Sequence, residues 1–106
     1  MAATNRIEDA LLNFTRATQI DPRLGGAYHS RAKLYFERGE IEAAIEDLSA
    51  AISVEPQSPG LYLTRGQVYI VSGNADLAIS DLEQVLALTG DEAMIIAAKR
   101  LLSLVR

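Results

Sequence analysis

The segment YHSRAKLYFERG at residues 28–39 returns at residues 62–73 as YLTRGQVYIVSG, and these two stretches decide the fold. Tyrosine, arginine, a second tyrosine and glycine occupy matching places in both copies, always 34 residues apart. The register continues downstream, where AAIEDL at residues 43–48 returns as LAISDL at residues 77–82. A fixed period of this size indicates stacked units of supersecondary structure. We therefore predict a repeat protein rather than a single globular core.

Turn-forming residues divide the sequence into helices. Gly39, Gly73 and Gly90 are suited to end helices, because glycine readily adopts the left-handed conformation that follows a last turn. Ser58-Pro59 is typical of a helix start, and Asp91 places negative charge where a last helix begins. The predicted helices lie at about residues 5–21, 27–38, 41–54, 59–73, 75–88 and 91–105.

The repeated positions resemble the tetratricopeptide repeat (TPR) pattern over nearly the whole chain. Tyr28 and Tyr35 correspond to its two aromatic positions, and Ala32 and Gly66 to the small residue where the paired helices meet. Two helices approach to about 8 Å only where such small side chains lie at the contact. The resemblance implies an all-α fold, an antiparallel helix-pair solenoid of six helices wound as a right-handed superhelix.

Aligning the copies divides the predicted single domain, residues 1–106, into four segments. Residues 7–22 match residues 41–56, so we expect residues 5–22 to be the second helix of a partial repeat. Two full repeats follow at residues 25–56 and 59–90, and residues 91–106 are predicted to be a terminal capping helix. We expect either a piece of a longer TPR protein or a family member with a degenerate start.

Composition excludes several classes of function. The net charge of −4 argues against nucleic-acid binding, and the chain has neither a cysteine nor a second histidine beside His29. Because no catalytic, metal or cofactor motif is present, we predict a protein that is not an enzyme and needs no cofactor. No signal peptide or apolar run of about 20 residues appears, so we expect no membrane insertion and take the cytoplasm as the default location.

Charged residues receive separate predictions. The recurring Arg31 and Arg65 are expected to pack their stems within the repeat and to place the guanidinium in water or on a carboxylate. Glu46 and Asp47 are predicted to face solvent as part of an acidic helix surface.

The resemblance implies that the first helix of each pair lines a concave groove that holds a peptide or a partner helix. The predicted function is therefore non-enzymatic protein–protein interaction. For the three apolar members of the groove, packing within the repeats is an equally weighted alternative. One TPR subclass grips the C-terminal carboxylate of chaperones with basic residues and asparagines; those asparagines are missing here, so we do not expect that activity. The predicted groove residues are His29, Lys33, Phe36, Leu63, Gln67 and Ile70.

Self-assembly is the alternative function. The last predicted helix carries apolar residues around much of its circumference, whereas a cap is expected to have a polar outer face. The remaining apolar surface would then contact a second copy and form a homo-oligomer. The predicted contacts are Ile95, Leu102 and Val105.

Overall fold

The computed structural model describes the backbone of residues 2–106 and the side chains of residues 6–106. Over that range the chain is all-α, and its helices pack as antiparallel pairs. The predicted helix positions are confirmed, apart from the first start. The described helices are α1 (Ala2–Ile20), α2 (Gly25–Glu37), α3 (Ile41–Val54), α4 (Pro59–Ser72), α5 (Ala75–Leu88) and α6 (Glu92–Val105).

The start of α1 is the difference. The helix begins at Ala2, so the predicted start at Asn5 is wrong by three residues. Alanine has the highest helix propensity of all residues, which accounts for an extra turn before Asn5.

Glycine ends two of the helices in the predicted manner. Gly39 and Gly73 have φ values of 78° and 84°, in the left-handed region that side chains with a Cβ rarely adopt. After Gly73, the Asn74 N–H donates to the Tyr69 carbonyl at 2.9 Å and closes the last turn of α4. The prediction for Gly90 is wrong: α5 ends at Leu88 because Thr89 turns to an extended conformation, and Gly90 does not have positive φ.

The helix starts follow local chemistry. The Asp91 side chain accepts a hydrogen bond from the Ala93 N–H at 3.3 Å, as its position before α6 predicted. Pro59 occupies the first turn of α4, where its missing N–H costs no hydrogen bond.

The helices group into two compact units, residues 1–55 and 56–106. In the first unit, α2 packs against both α1 and α3. In the second, α5 packs against both α4 and α6, and α6 also contacts α4. The central side chains of each unit are the repeated ones: Leu48 and Leu82 have no exposed surface. Burying one leucine side chain stabilises the fold by about 1.5–3 kcal/mol.

Small residues set the distance between paired helices. Ala32 in α2 is 1% exposed. At Gly66 in α4, an added Cβ would lie 3.1 Å from Cδ2 of Leu82, closer than ordinary van der Waals contact. The prediction that α4 and α5 meet at Gly66 is confirmed.

Candidate functional site

A buried ion pair joins the two helices of the first repeat. Nε and Nη2 of Arg31 in α2 each donate a hydrogen bond of 2.7 Å to the carboxylate of Asp47 in α3. The guanidinium carbon also lies 5.7 Å and 5.8 Å from the ring centroids of Tyr28 and Tyr35. At these distances both rings attract the cation through their π faces. The arrangement therefore holds the arginine by charge, hydrogen bonds and aromatic contact together.

The same arginine reaches the preceding helix. Nη1 of Arg31 donates to the hydroxyl of Thr15 at 3.2 Å and to that of Thr18 at 3.3 Å. Both threonines belong to α1. One side chain thus bonds to α1 and α3 while lying on α2, which fixes the packing of all three helices in the first unit.

The second repeat reproduces the pair. Arg65 donates from Nε and Nη2 to the carboxylate of Asp81 at 2.8 Å, and the rings of Tyr62 and Tyr69 flank its guanidinium at 5.8 Å and 5.7 Å. Hydrogen bonding to the aspartate raises the pKa of each arginine above its usual value. Both arginines consequently stay charged at every pH the fold tolerates, which suits a structural role rather than proton transfer.

Asp47 corrects one prediction from the sequence. It was expected to face solvent beside Glu46, but it is only 5% exposed because Arg31 neutralises it inside the repeat. The signal was present in the sequence: an aspartate follows each repeated arginine at a spacing of 16 residues, in both copies. The expectation for Arg31 and Arg65, a packed stem with the guanidinium on a carboxylate, is confirmed.

The predicted binding residues of α2 lie on one helical face, because they are spaced by four and three residues. Lys33 is exposed, and His29 and Phe36 are half-buried. Burial lowers the pKa of His29, the Lys33 charge lowers it further, and Glu55 partly opposes both effects. His29 is therefore neutral near pH 7 and Lys33 carries the positive charge of this surface. We call these three side chains the α2 row.

The corresponding residues of α4, which we call the α4 row, are Leu63, Gln67 and Ile70. Gln67 is exposed. Leu63 and Ile70 are partly buried and pack against the core of the second unit, so each side chain divides its surface between that core and solvent. The core they contact comprises Leu82, Val85, Ala98 and Leu102.

The 34-residue register extends the rows to α6, which contacts α4. It places Ala97, Leu101 and Leu104, the α6 row, in line with the α4 row. Leu101 packs partly on the core, as does Met94, and Leu104 is 70% exposed. Sequence reasoning had not assigned Leu104 to a binding surface, although adding 34 to Ile70 gives its number.

The outer surface of α6 differs from the prediction. Leu102 is 5% exposed and belongs to the core beside α5, so the expectation that it contacts a second copy is wrong. Ile95 and Val105 are half-buried. The positions that match Tyr62, Arg65, Gly66 and Tyr69 are the exposed Ile96, Lys99, Arg100 and Ser103. Three of these four are polar, so α6 presents the mostly polar outer face that a cap requires.

The described part of the chain contains no group of three or more histidine, cysteine, aspartate or glutamate side chains placed to hold a metal ion. Among the helices of residues 2–106, none is long and apolar enough to cross a membrane.

Comparison with known families agrees with the repeat geometry. The family model described as TPR repeat matches residues 32–73, and that described as tetratricopeptide repeat matches residues 59–92. Together they span more than half of the chain. The chain belongs to the TPR family, a family of protein–protein interaction modules that typically serve as non-catalytic scaffolds. No curated protein matches the sequence significantly.

Solved structures share the fold. The type III secretion chaperone SycD of Yersinia enterocolitica, in complex with a peptide of the translocator YopD, superposes with a TM-score of 0.89 at 15% identity, covering 98% of this chain and 82% of that one. The first TPR of Spaghetti (RPAP3), bound to the HSP90 peptide SRMEEVD, gives 0.82 at 19% identity, covering 96% and 82%. The P58(IPK) TPR domain gives 0.85 at 29% identity; the match covers 98% of this chain but only 29% of that domain.

Proposed function

We propose that this TPR module binds a peptide or helix of another protein through the α2 row and the α4 row. The observation that carries the proposal is the repeated spacing, which presents His29, Lys33 and Phe36 on α2 and Leu63, Gln67 and Ile70 on α4 at matching positions. Phe36, Leu63 and Ile70 all retain exposed surface, and the α6 row adds the highly exposed Leu104. Partly exposed apolar side chains of this kind are typical of protein-binding surfaces.

The rows differ in chemistry, and the difference defines the partner. The α2 row offers a lysine, a neutral imidazole and an aromatic ring, whereas the α4 and α6 rows contain no charged residue. We expect a segment that places apolar side chains on α4 and α6 and an acidic or hydrogen-bonding group near Lys33. In SycD and Spaghetti the same fold holds a peptide, which supports this kind of occupant.

Self-assembly through α6 is the less favoured alternative. Of its predicted contacts, Leu102 is buried within its own unit, and the outward positions Lys99, Arg100 and Ser103 are polar. Light scattering behind a sizing column tests this alternative directly. We expect a constant monomer mass over a wide concentration range, and a mass that grows with concentration would reinstate self-assembly.

Exposed residues of the rows provide the binding test without disturbing the core. Short peptides selected on the wild-type chain by display would be measured against Gln67→Arg and Lys33→Glu. We expect each variant to weaken binding at least tenfold, equivalent to about 1.4 kcal/mol. The matched control is Val71→Arg, since Val71 lies next to Ile70 on α4 and is 62% exposed. Equal affinities for all three variants and the wild type would refute the proposed surface.

A further inference from the structure

α1 presents an open face that its counterparts in both repeats keep covered. In α3 and α5 every side chain at these positions is buried, with at most 5% exposed. In α1 the matching Asn13 is exposed, and the other three residues are only half-buried. The residues of the open face are Ala10, Asn13, Phe14 and Ala17; they match Ala44, Asp47, Leu48 and Ala51 in α3 and Ala78, Asp81, Leu82 and Val85 in α5.

The structure contains two examples of what covers such a face. α2 packs against α3, and α4 packs against α5. Each covering helix brings an arginine to the aspartate and a small residue, Ala32 or Gly66, to the close contact. α1 also packs against α2, but with other side chains, since Leu11 and Thr18 are its residues with 8% exposure.

We propose that the open face of α1 docks one amphipathic helix of a partner protein, of the type that α2 and α4 represent. Such a helix carries two aromatic residues seven positions apart, as Tyr28 and Tyr35 are, with a hydrogen-bond donor and a small residue between them. The docking would continue the helix-pair interface that the chain forms twice internally. Ala10 and Ala17 permit the close approach that this packing needs. The site is independent of the α2 and α4 rows.

A second copy of the chain does not supply this helix. Its α2 and α4 are already paired within their own repeats. Its α6 has Arg100 at the position of Ala32 and Gly66, where only a small side chain fits against the facing helix. The occupant is therefore a helix from a different protein.

Asn13 makes the site selective for a neutral donor. It stands where Asp47 and Asp81 accept hydrogen bonds from arginines. An asparagine amide accepts hydrogen bonds but does not compensate a positive charge, and enclosing an arginine without a counter-charge is unfavourable. We expect the docking helix to carry glutamine or another neutral donor at the place of Arg31.

A fusion tests whether the face accepts a helix. A copy of residues 24–38 is joined through a flexible Gly/Ser linker of about eight residues to the N-terminus of the full chain. We expect a Tm at least about 4 °C above that of a fusion with a scrambled copy, and slower amide exchange in α1. Ala10→Asp should abolish both gains in the fusion and change the Tm of the unfused chain little, because Ala10 is half-exposed there. Equal Tm values and exchange rates for the true and scrambled copies would overturn the proposal, as would gains that survive Ala10→Asp.

The choice of donor is tested in the same fusion. With Asn13, a copy carrying Arg31→Gln should give a Tm at least as high as the unchanged copy. With Asn13→Asp, the unchanged arginine copy should become the more stable of the two. If arginine is preferred with Asn13 as well, the inferred selectivity for a neutral donor is wrong.

Discussion

The Arg31 guanidinium and the Asp47 carboxylate form a buried two-pronged ion pair, with both N–H···O distances at 2.7 Å. The pair repeats 34 residues later as Arg65 and Asp81. Each pair connects the first helix of a repeat to the second, between two tyrosine rings. Because the arginines are fully engaged inside the repeats, they support the binding rows without belonging to them.

Removing the charge of Asp47 should destabilise the fold. Asp47→Asn leaves the Arg31 guanidinium enclosed without a counter-charge, and we expect the free energy of unfolding to fall by about 3 kcal/mol. Urea denaturation followed by circular dichroism measures the loss. Glu46→Gln is the control, because the neighbouring Glu46 is exposed and its change should stay within about 0.5 kcal/mol. Similar effects for both variants would contradict the structural role of the pair.

Replacing both partners should restore much of the lost stability. In Arg31→Met with Asp47→Leu, no buried charge remains, and apolar pairs often replace buried ion pairs at little cost. We expect the double variant to be more stable than Asp47→Asn in the same urea experiment. A double variant that is less stable than Asp47→Asn would show that the hydrogen bonds to Thr15 and Thr18 dominate instead.

Gly66 should tolerate alanine but not leucine. An alanine Cβ would press on Leu82 at 3.1 Å, yet it also removes the helix penalty of glycine, about 1 kcal/mol, so the two effects nearly cancel. Ala32 occupies the matching position of the first repeat without difficulty. Gly66→Leu should separate α4 from α5 and cost at least about 3 kcal/mol by overpacking. Thermal unfolding compares the two variants, and equal Tm values would contradict the close contact.

Tyr69 should contribute through its ring. Its centroid lies 5.7 Å from the Arg65 guanidinium carbon, and Tyr69→Ala would remove both that contact and the buried part of the ring. We expect a loss of about 3 kcal/mol in the free energy of unfolding. Tyr69→Phe keeps the ring over the cation and should cost less than about 1 kcal/mol. A phenylalanine variant as unstable as the alanine variant would assign the effect to the hydroxyl.

His29 should make stability depend on pH. Its folded-state pKa lies below the usual 6.5, so the unfolded chain binds a proton that the folded chain does not. The free energy of unfolding should therefore fall as pH decreases below 6.5, and this histidine should contribute no pH dependence well above that value. Urea titrations between pH 7.5 and pH 5 should show a steeper fall for the wild type than for His29→Gln. Parallel curves would contradict the lowered pKa.

The sequence predicted the helices well because their signals are local. Gly39 and Gly73 end helices through left-handed backbone geometry, and Asp91 caps α6, each within a few residues of its cause. The Asn5 and Gly90 predictions failed because a favourable terminal residue is optional: alanines extended α1, and Thr89 ended α5 first.

The side-chain predictions depended on longer distances. Asp47 and Leu102 were misjudged because burial depends on the facing helix, which composition alone does not identify. Both errors were avoidable through the repeat, since Asp81 matches Asp47, and Leu102 matches the buried Val68. The α2 and α4 rows remain predictions, because only a partner can test them.

The most direct test of the proposed binding function is a titration of the isotope-labelled chain with a display-selected peptide, followed by amide chemical shifts. The account predicts that the largest changes lie on α2, α4 and α6, centred on Lys33, Gln67 and Leu101. Changes confined to α3 and α5, or to the outer positions Lys99, Arg100 and Ser103 of α6, would contradict it.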